Sequence, residues 1–333
     1  MQPHIIYVFR KSSLFFSIEN VFKIIGGQLS ALYSFNIERV LLPEAGLSFT
    51  SFLRNRNFIK KKQADLFHVT GDVHYISLFL PSEKTILTIH DCVFMHQSRG
   101  LKRWVLKKIL LDWPLAHCSR VTTISEQTKK DILKFSACQE NKIIVIPNPV
   151  TLPIVYQPKL FNTTKPDILF IGTTPNKNLT RVIDALKGIP CVLHIVGELT
   201  PSLKMKLEEN KIKYESYINL NEDEMIAKYN EADLVLFPST YEGFGLPIIE
   251  AQKAGRPVIT SNLSPMNEVA GGAACLIDPY NIDSIRTAIL KIISDKEYRE
   301  ELVRKGFENV IAYTPERITL RYFDLYQEIL IRN

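Results

Sequence analysis

The sequence has little of what metal centres and disulfide frameworks require. Its five cysteines, at positions 92, 118, 138, 191 and 275, are scattered, odd in number and without metal-ligand spacing. This pattern indicates a reducing compartment and argues against a disulfide framework or a structural zinc. No Asp-x-Asp pair occurs anywhere in the 333 residues, so we also predict no dedicated site for a divalent metal.

Long apolar runs are missing as well. No stretch approaches the roughly 20 apolar residues of a membrane-spanning helix, and the apolar run near Met1 is too short for a secretory signal. We therefore expect a cytoplasmic protein.

The first predicted strand, residues 5–9, is not followed by Gly-x-Gly-x-x-Gly, which disfavours a nicotinamide oxidoreductase. The formal net charge of +6 favours an anionic partner without choosing among nucleotide, nucleic acid and membrane.

What the sequence does contain is a regular alternation of strands and helices. Such an alternation predicts parallel sheets with helices on both faces. The predicted strands are 5–9, 66–69, 85–89, 121–124, 143–146, 167–171, 191–196, 234–237 and 257–260. The predicted helices are 18–32, 102–111, 126–135, 178–186, 222–229, one that begins at 282, and 316–332.

The domain organisation follows from an interruption of this alternation. Residues 147–149 and 153–166 are rich in proline, asparagine and threonine, as linkers are. A chain of 333 residues also exceeds what one core usually supports. We predict an α/β protein of two doubly wound domains, 1–150 and 151–315, that face a cleft. In the terminal segment, 316–333, the candidate buried positions are Ile318, Leu320, Phe323, Leu325, Tyr326, Ile329 and Leu330.

The strongest functional signal is the segment 239–250, Ser-Thr-Tyr-Glu-Gly-Phe-Gly-Leu-Pro-Ile-Ile-Glu. A buried strand ends at Pro238, and Pro247 has the backbone angle of a first helical turn, so we predict a helix from Leu246. A strand, a glycine turn and a helix start direct free N–H groups at an anion. Glu242 and Glu250, eight positions apart, are suited to sugar hydroxyls. The segment predicts a ligand with a diphosphate and sugars.

A second glycine turn, residues 172–179, follows the first strand of the second half. Gly172 permits close approach of backbone, and Lys177 before the next helix would neutralise phosphate charge. An ordinary strand–helix turn explains the same residues. Ligands of open parallel sheets bind at the carboxyl ends of strands, however, where both glycine turns are predicted to lie. This coincidence favours Lys177 as a phosphate ligand.

His90 and Asp91 end a predicted strand of the first half. One interpretation is a solvated turn in which Asp91 caps the next helix. The other places His90 in the cleft, where it donates to a sugar hydroxyl or to charge on a leaving group. The residues alone leave both open. For His68, at the end of another strand, a structural role is favoured.

Residues 101–113 carry four basic residues beside both tryptophans of the protein, Trp104 and Trp113. A surface helix with its apolar side on the sheet is the favoured interpretation. A basic amphipathic helix also binds anionic lipid, so peripheral contact with the inner face of the membrane stays open.

Residues 242–250, with Ala254-Gly255-Arg256-Pro257-Val258, resemble the Glu-x7-Glu signature of retaining glycosyltransferases of family 4. The similarity extends to residues 172–179, to His90-Asp91, to residues 123–126 and to residues 146–149. The resemblance implies a GT-B fold: two Rossmann-like domains, the acceptor on the first and the nucleotide-sugar on the second. It also implies a terminal helix that packs back on the first domain.

The resemblance assigns roles to individual residues. Glu250 would bind the ribose hydroxyls, and Glu242 would face the donor sugar and stabilise positive charge at its anomeric carbon. His90 would contact the sugar from the first domain. Sugar and phosphate oxygens would be bound by the backbone N–H groups of Phe244, Gly245 and Leu246, by Lys177 and by the turn that contains Gly172 and Thr173.

One departure from the family concerns the phosphate turn. Many members have an arginine shortly before the lysine, where this chain has Thr173 and Thr174. Either a threonine hydroxyl with backbone N–H groups suffices, or another basic residue reaches the phosphates.

Together these features predict a retaining, metal-independent hexosyltransferase of bacterial surface polysaccharide synthesis. Its donor would be a nucleoside diphosphate sugar, its acceptor a glycan or a lipid-linked glycan, and no cofactor or nucleic acid would be needed. The alternatives are a catalytically silent partner of another transferase that binds a nucleotide-sugar or glycan, and a GT-B-type nucleotide-sugar epimerase.

Overall fold

The computed structural model describes residues 2–11, 17–46 and 48–332. The chain forms two compact units: the first comprises Met1–Pro149 and Thr314–Asn333, and the second comprises Val150–Tyr313. Each unit is a six-stranded sheet with helices, and all strand pairs that link neighbours in either sheet are parallel. This is the α/β, two-domain Rossmann-like architecture that the alternation of elements predicted.

In the first unit the strands lie in the order β2-β1-β3-β4-β5-β6. They are β1 (His4–Phe9), β2 (Asn36–Leu41), β3 (Leu66–Val69), β4 (Thr85–Ile89), β5 (Arg120–Thr123) and β6 (Ile143–Val145). Every residue of β3 and β4 is buried, as expected of central strands in a parallel sheet that is covered on both faces.

Within the described residues, six α-helices lie between these strands along the chain. They are α1 (Ser17–Tyr33), α2 (Phe49–Ile59), α3 (Val93–Gln97), α4 (Gly100–Lys107), α5 (Trp113–His117) and α6 (Glu126–Phe135). A π-helical turn, Lys108–Asp112, joins α4 to α5. It interrupts the single helix predicted for residues 102–111.

In the second unit the strand order is β12-β11-β10-β7-β8-β9. The strands are β7 (Asp167–Ile171), β8 (Val192–Val196), β9 (Tyr214–Tyr217), β10 (Leu234–Phe237), β11 (Val258–Ser261) and β12 (Cys275–Ile277). The helices are α7 (Leu179–Leu186), α8 (Pro201–Glu209), α9 (Glu222–Glu231), α10 (Leu246–Lys253), α11 (Met266–Ala270), α12 (Ile282–Ser294) and α13 (Lys296–Val310).

The terminal helix, α14 (Pro315–Arg332), belongs to the first unit. Its buried side chains join the core formed by β1 and α1, and the Tyr326 hydroxyl lies 2.6 Å from Nδ1 of His68. The buried positions are Ile318, Thr319, Tyr322, Leu325, Tyr326 and Ile329. Leu320, predicted to be buried, is 45% exposed, because Tyr322 rather than Leu320 lies on the stripe that faces the sheet.

No helix in the ranges that the structure describes is both long and apolar enough to cross a bilayer.

Candidate functional site

The two glycine turns lie side by side in the second unit. One follows β7 and the other follows β10, and these strands are neighbours in the sheet. The N–H of Thr240 donates to the Asn176 carbonyl at 2.8 Å, and the Asn176 amide donates to the Tyr241 carbonyl at 3.0 Å. The structure thus brings together the two segments that the sequence singled out, at the carboxyl edge where open parallel sheets bind ligands.

Gly172 is required by its backbone and by a neighbour. Its φ of +90° lies in the region that favours glycine. A Cβ at this position would also lie 2.9 Å from Cγ and Cε of Lys177. The missing side chain therefore leaves the space in which the Lys177 stem lies, and the Lys177 ammonium is placed 4.7 Å from the ring centre of Phe237.

Lys177 and Glu242 form an ion pair. Lys177 Nζ donates to Glu242 Oε1 at 2.7 Å, with side-chain exposures of 20% and 15%. The sequence placed Lys177 on a diphosphate and Glu242 on a sugar, and the structure shows that their side chains touch. An anion that binds Lys177 must compete with Glu242, because the ammonium has only three donors to share.

The second turn leads into α10 as predicted, with Leu246 as the first helical residue. Gly245 precedes it with φ +115°, and the first internal bond runs from the Ile248 N–H to the Gly245 carbonyl at 3.0 Å. Phe244 is buried and its ring contacts Tyr313, with 5.8 Å between centroids. The N–H groups of residues 244–246 precede the helical ladder, so they are suited to sugar or phosphate oxygens.

Glu250 is buried one turn into α10, where two hydroxyls hold its carboxylate. The Tyr229 hydroxyl donates to Oε2 at 2.7 Å, and the Thr151 hydroxyl donates to Oε1 at 3.1 Å. Burial raises the pKa of Glu250. The two hydrogen bonds lower it, but burial is the larger effect, so the pKa stays above its ordinary value. Burial also raises the pKa of Tyr229. Each carboxylate oxygen retains acceptor capacity, so the group is able to bind a pair of ligand hydroxyls.

The two threonines that replace the family's arginine have separate surroundings. Thr173 packs against the end of β8, where a Cβ on Gly197 would come within 2.9 Å of its methyl carbon. The Thr174 hydroxyl donates to the Asn176 side chain at 2.8 Å. The nearby Arg181 donates to Asn178 at 2.9 Å and lies over the ring of Tyr280. The positive charge at the turn therefore comes from Lys177.

His90 lies in the first unit, at the end of β4. It is buried, and its Nε2 is 2.7 Å from the Thr70 carbonyl. A carbonyl only accepts, so Nε2 donates in this hydrogen bond and Nδ1 is the ring nitrogen that a ligand would meet. The predicted contact of His90 with a sugar hydroxyl would therefore be made through Nδ1. Asp91 accepts from the Val93 N–H at 2.9 Å, so it contacts the first turn of α3, although the cap position itself is occupied by Cys92.

Sequence reasoning missed the residues that position the site. Tyr229 is the one buried side chain that α9 contributes, and a lone aromatic in an otherwise polar helix was an available signal. Thr151 and Asn176 gave none, since short polar residues are common in linkers and turns.

Within the described ranges, no three His, Cys, Asp or Glu side chains come together as metal ligands would.

Two protein-family models match the chain in succession. Residues 30–152 match Glycosyltransferase Family 4, and residues 155–309 match Glycosyl transferases group 1. The second match contains both glycine turns and both glutamates, and the first contains His90.

Curated relatives are similar to the chain at low identity. The O-antigen chain mannosyltransferase B of Escherichia coli is 25% identical over 285 residues, which cover 76% of this chain and 73% of the relative. The serotype-specific mannosyltransferase WbdA of Escherichia coli is 23% identical over 66% of this chain, but the match spans only 30% of WbdA. The chain therefore corresponds to one segment of that longer relative.

Solved structures share the fold over the whole chain. Sucrose-phosphate synthase from Thermosynechococcus elongatus superposes with a TM-score of 0.80 at 18% identity and covers 100% of both chains. HepE from Anabaena, in complex with UDP and glucose, gives a TM-score of 0.77 at 12% identity and covers 98% of this chain and 100% of HepE.

Proposed function

We propose that this chain, whose two parts match glycosyltransferase family models and whose fold is that of a solved sucrose-phosphate synthase, is a family 4-like glycosyltransferase. It transfers a sugar from a nucleoside diphosphate donor to a hydroxyl of a glycan or lipid-linked acceptor. We propose further that the anomeric configuration is retained and that no metal is required. One observation carries the proposal: the buried, doubly hydrogen-bonded Glu250 lies one helical turn after the loop that holds the Lys177–Glu242 pair.

Glu250 binds the ribose hydroxyls of the donor. Tyr229 and Thr151 fix the carboxylate, so little conformational entropy is lost when the ribose binds. A hydroxyl that donates to a buried carboxylate forms one of the stronger hydrogen bonds in proteins. Because both of its oxygens are fixed in this binding role, Glu250 does not act as a nucleophile.

The diphosphate binds Lys177 and the N–H groups that precede α10. Its charge draws the Lys177 ammonium from Glu242 and releases the Glu242 carboxylate toward the sugar. Lys177 then stabilises the negative charge that develops on the leaving phosphate, and Glu242 stabilises the positive charge on the anomeric carbon. Both interactions are strongest where charge develops, which is what accelerates the transfer.

The transfer exchanges one bond at the anomeric carbon. The acceptor oxygen attacks from the face that the phosphate leaves, so the new carbon–oxygen bond forms as the bond to phosphate breaks. The departing phosphate oxygen takes the acceptor's proton. His90 contacts a sugar hydroxyl through Nδ1, which aligns the sugar and is not part of the proton path.

The donor sugar that we propose first is mannose, with bacterial surface polysaccharide as the product. This choice rests on the names of several curated relatives, which are mannosyltransferases and in part O-antigen chain mannosyltransferases.

A screen of nucleotide-sugars tests the proposal. The purified chain is incubated with GDP-, UDP-, ADP- and dTDP-hexoses, with and without glycan acceptors, and release of the nucleoside diphosphate is measured with EDTA present. We expect release from one donor, acceleration by an acceptor, and a product whose anomeric proton coupling matches the donor. An epimerised nucleotide-sugar formed without acceptor, or nucleotide binding without turnover, would replace transfer with the alternatives.

A further inference from the structure

The first part of helix α4 lies on the surface of the first unit. None of the side chains of Gly100–Lys107 is buried, and residues 99–105 are all exposed. The segment meets the core from Leu106 onwards, through Leu106, Ile109, Leu110 and Leu111. Because residues 99–105 gain little from burial within the chain, the core does not explain the apolar residues among them.

The exposed face of this segment is apolar. Leu101, Trp104 and Val105 are 77%, 58% and 37% exposed, and their spacing of three and four places them on one face of the helix. Trp113, beyond the π-helical turn, is 53% exposed. Both tryptophans of the protein therefore lie on the surface of this segment, which we call the tryptophan segment (residues 99–113).

The tryptophan segment also holds most of the chain's excess positive charge. It carries Arg99, Lys102, Arg103, Lys107 and Lys108 against a single acid, Asp112, which is a formal +4 of the +6 of the whole chain. Asp112 is shared by Lys107 and Lys108 at 2.7 and 2.9 Å. Arg103 lies over the ring of Phe135 at 5.4 Å. Arg99 and Lys102 remain on the exposed first turn.

We propose that the tryptophan segment docks the enzyme on an anionic lipid surface. Leu101, Trp104 and Val105 enter the headgroup region, where tryptophan is favoured, and the flanking cations bind lipid phosphates. A second copy of the chain is a poorer occupant, because it would bring a second surface of the same positive charge. Nucleic acid would match the cations but offer no apolar partner to Leu101 and Val105.

The position of this segment suits the proposed transfer to a lipid-linked acceptor, and this step rests on the proposed function. The Thr128 hydroxyl of α6 donates to the His90 carbonyl at 3.1 Å. One turn further along α6, Asp131 meets His96 of α3 at 3.3 Å. Because α4 begins four residues after His96, the docked helix starts close to the edge of the sheet that carries His90.

The two tryptophans supply the test. The full chain is titrated with vesicles of phosphatidylglycerol and phosphatidylcholine, or of phosphatidylcholine alone, while fluorescence and cosedimentation are recorded. We expect a blue shift, quenching by brominated lipids, and binding at least tenfold tighter to the anionic vesicles that weakens with salt. Equal binding to both vesicles, or no change in fluorescence, would overturn the proposal.

Matched variants separate the apolar and charged contributions. Leu101→Ser with Trp104→Ser should reduce vesicle binding at least tenfold, while Leu160→Ser, which alters a side chain that is 95% exposed in the second unit, should not. Arg99→Gln with Lys102→Gln should weaken binding more than Lys60→Gln with Lys61→Gln, which removes the same charge from another exposed site. If a control variant loses as much vesicle binding as the variant of the tryptophan segment that it is matched to, the docking face is not specific.

Two further measurements keep the proposal distinct from its rivals. A dimer in sedimentation velocity that the Leu101→Ser, Trp104→Ser variant loses would assign the face to a second copy. Transfer to a water-soluble acceptor should be unchanged in this variant, whereas transfer to a vesicle-bound acceptor should fall. Vesicle binding by a chain without transferase activity would sustain the docking face and reject only the proposed function.

Discussion

Gly172 shows how a single residue determines the proposed phosphate site. Its absent side chain leaves room for the Lys177 stem, and its φ of +90° is unfavourable for any other residue. The motif around it was visible in the sequence, but the contact that explains it was not. The contact between Lys177 and Glu242 also emerged only from the structure, since 65 residues separate them.

Gly172→Ala should displace Lys177 and strain the turn, so nucleoside diphosphate affinity should fall about tenfold or more, as for loss of a charged hydrogen bond. Titration calorimetry measures this. Gly27→Ala, at an exposed helical glycine with open space around it, is the control and should leave affinity unchanged. Equal affinity in both variants would contradict the role of Gly172.

The raised pKa of Glu250 means that the ionised form, which we propose binds the ribose, is the form that makes the folded protein less stable. Burial raises this pKa, so the folded state binds the proton more tightly than the unfolded state. The stabilising effect is complete below the ordinary pKa of 4.5 and is lost as the pH rises through the raised pKa. Glu250→Gln has no carboxyl group to ionise at this position, so the variant does not lose this stability as the pH rises. Without nucleotide, its melting temperature should exceed that of the wild type at pH 8 by more than at pH 5, whereas an equal difference at the two pH values would contradict the prediction.

At the scale of elements, the interior strands and the edge strand β6 were predictable, whereas the other edge strands were not. The predicted strands of both sheets were confirmed within one or two residues, because strands buried on both faces form short apolar runs. The missed strands β2, β9 and β12 are all sheet edges. Five of the six residues of β2 and all of β9 are at least partly exposed, so their polar residues concealed the strand pattern. In the predicted stripe of α14, Leu320 was wrong for a related reason, since Tyr322 is buried with its polar hydroxyl and Leu320 is exposed.

The contact of β3 with α14 should make the first unit sensitive to acid. His68 lies between the Tyr326 and Thr88 hydroxyls, both at 2.6 Å, and burial lowers its pKa from 6.5 to about 3. Its neutral form is stabilising above pH 6.5, and that contribution is lost as the pH falls toward the lowered value. Between these limits the loss is about 1.4 kcal/mol per pH unit.

His68→Gln removes this titration but also some packing. In denaturant unfolding, the variant should have a lower free energy of unfolding than the wild type at pH 7. At pH 4.5 this difference in free energy should be smaller by about 3 kcal/mol. If the difference in free energy of unfolding is the same at both pH values, His68 does not take up a proton on unfolding.

At the scale of the whole molecule, the chain returns to its first unit after completing the second. The division after Pro149 coincides with the proline-rich stretch, but the assignment of α14 to the first unit depends on contacts remote in sequence. The residues of α14 supply one side of the core around β1. The family resemblance implied this packing, whereas the residues of the helix by themselves do not choose between the two domains.

Leu325→Ala should therefore destabilise the first unit by about 2–5 kcal/mol, as loss of a buried leucine does. Leu320→Ala, on the exposed side of the same helix, should cost less than about 0.5 kcal/mol. Tryptophan fluorescence reports the first unit, because both tryptophans lie in it. Nucleotide binding reports the second unit and should survive both changes. A loss of binding that accompanies the fluorescence transition would show that the two units unfold together.

The most direct test of the account is the affinity of the chain for a nucleoside diphosphate and its 2′-deoxy and 3′-deoxy forms, measured by calorimetry with wild type and Glu250→Gln. If Glu250 binds the ribose, removing a hydroxyl should weaken wild-type binding about tenfold or more, and the same removal should cost the variant far less. Glu242→Gln should keep the wild-type deoxy penalties and lose turnover instead, and its nucleoside diphosphate affinity should not fall, because the variant no longer competes for Lys177. Unchanged nucleotide affinity in Glu250→Gln, or an equal deoxy penalty in both proteins, would contradict the account.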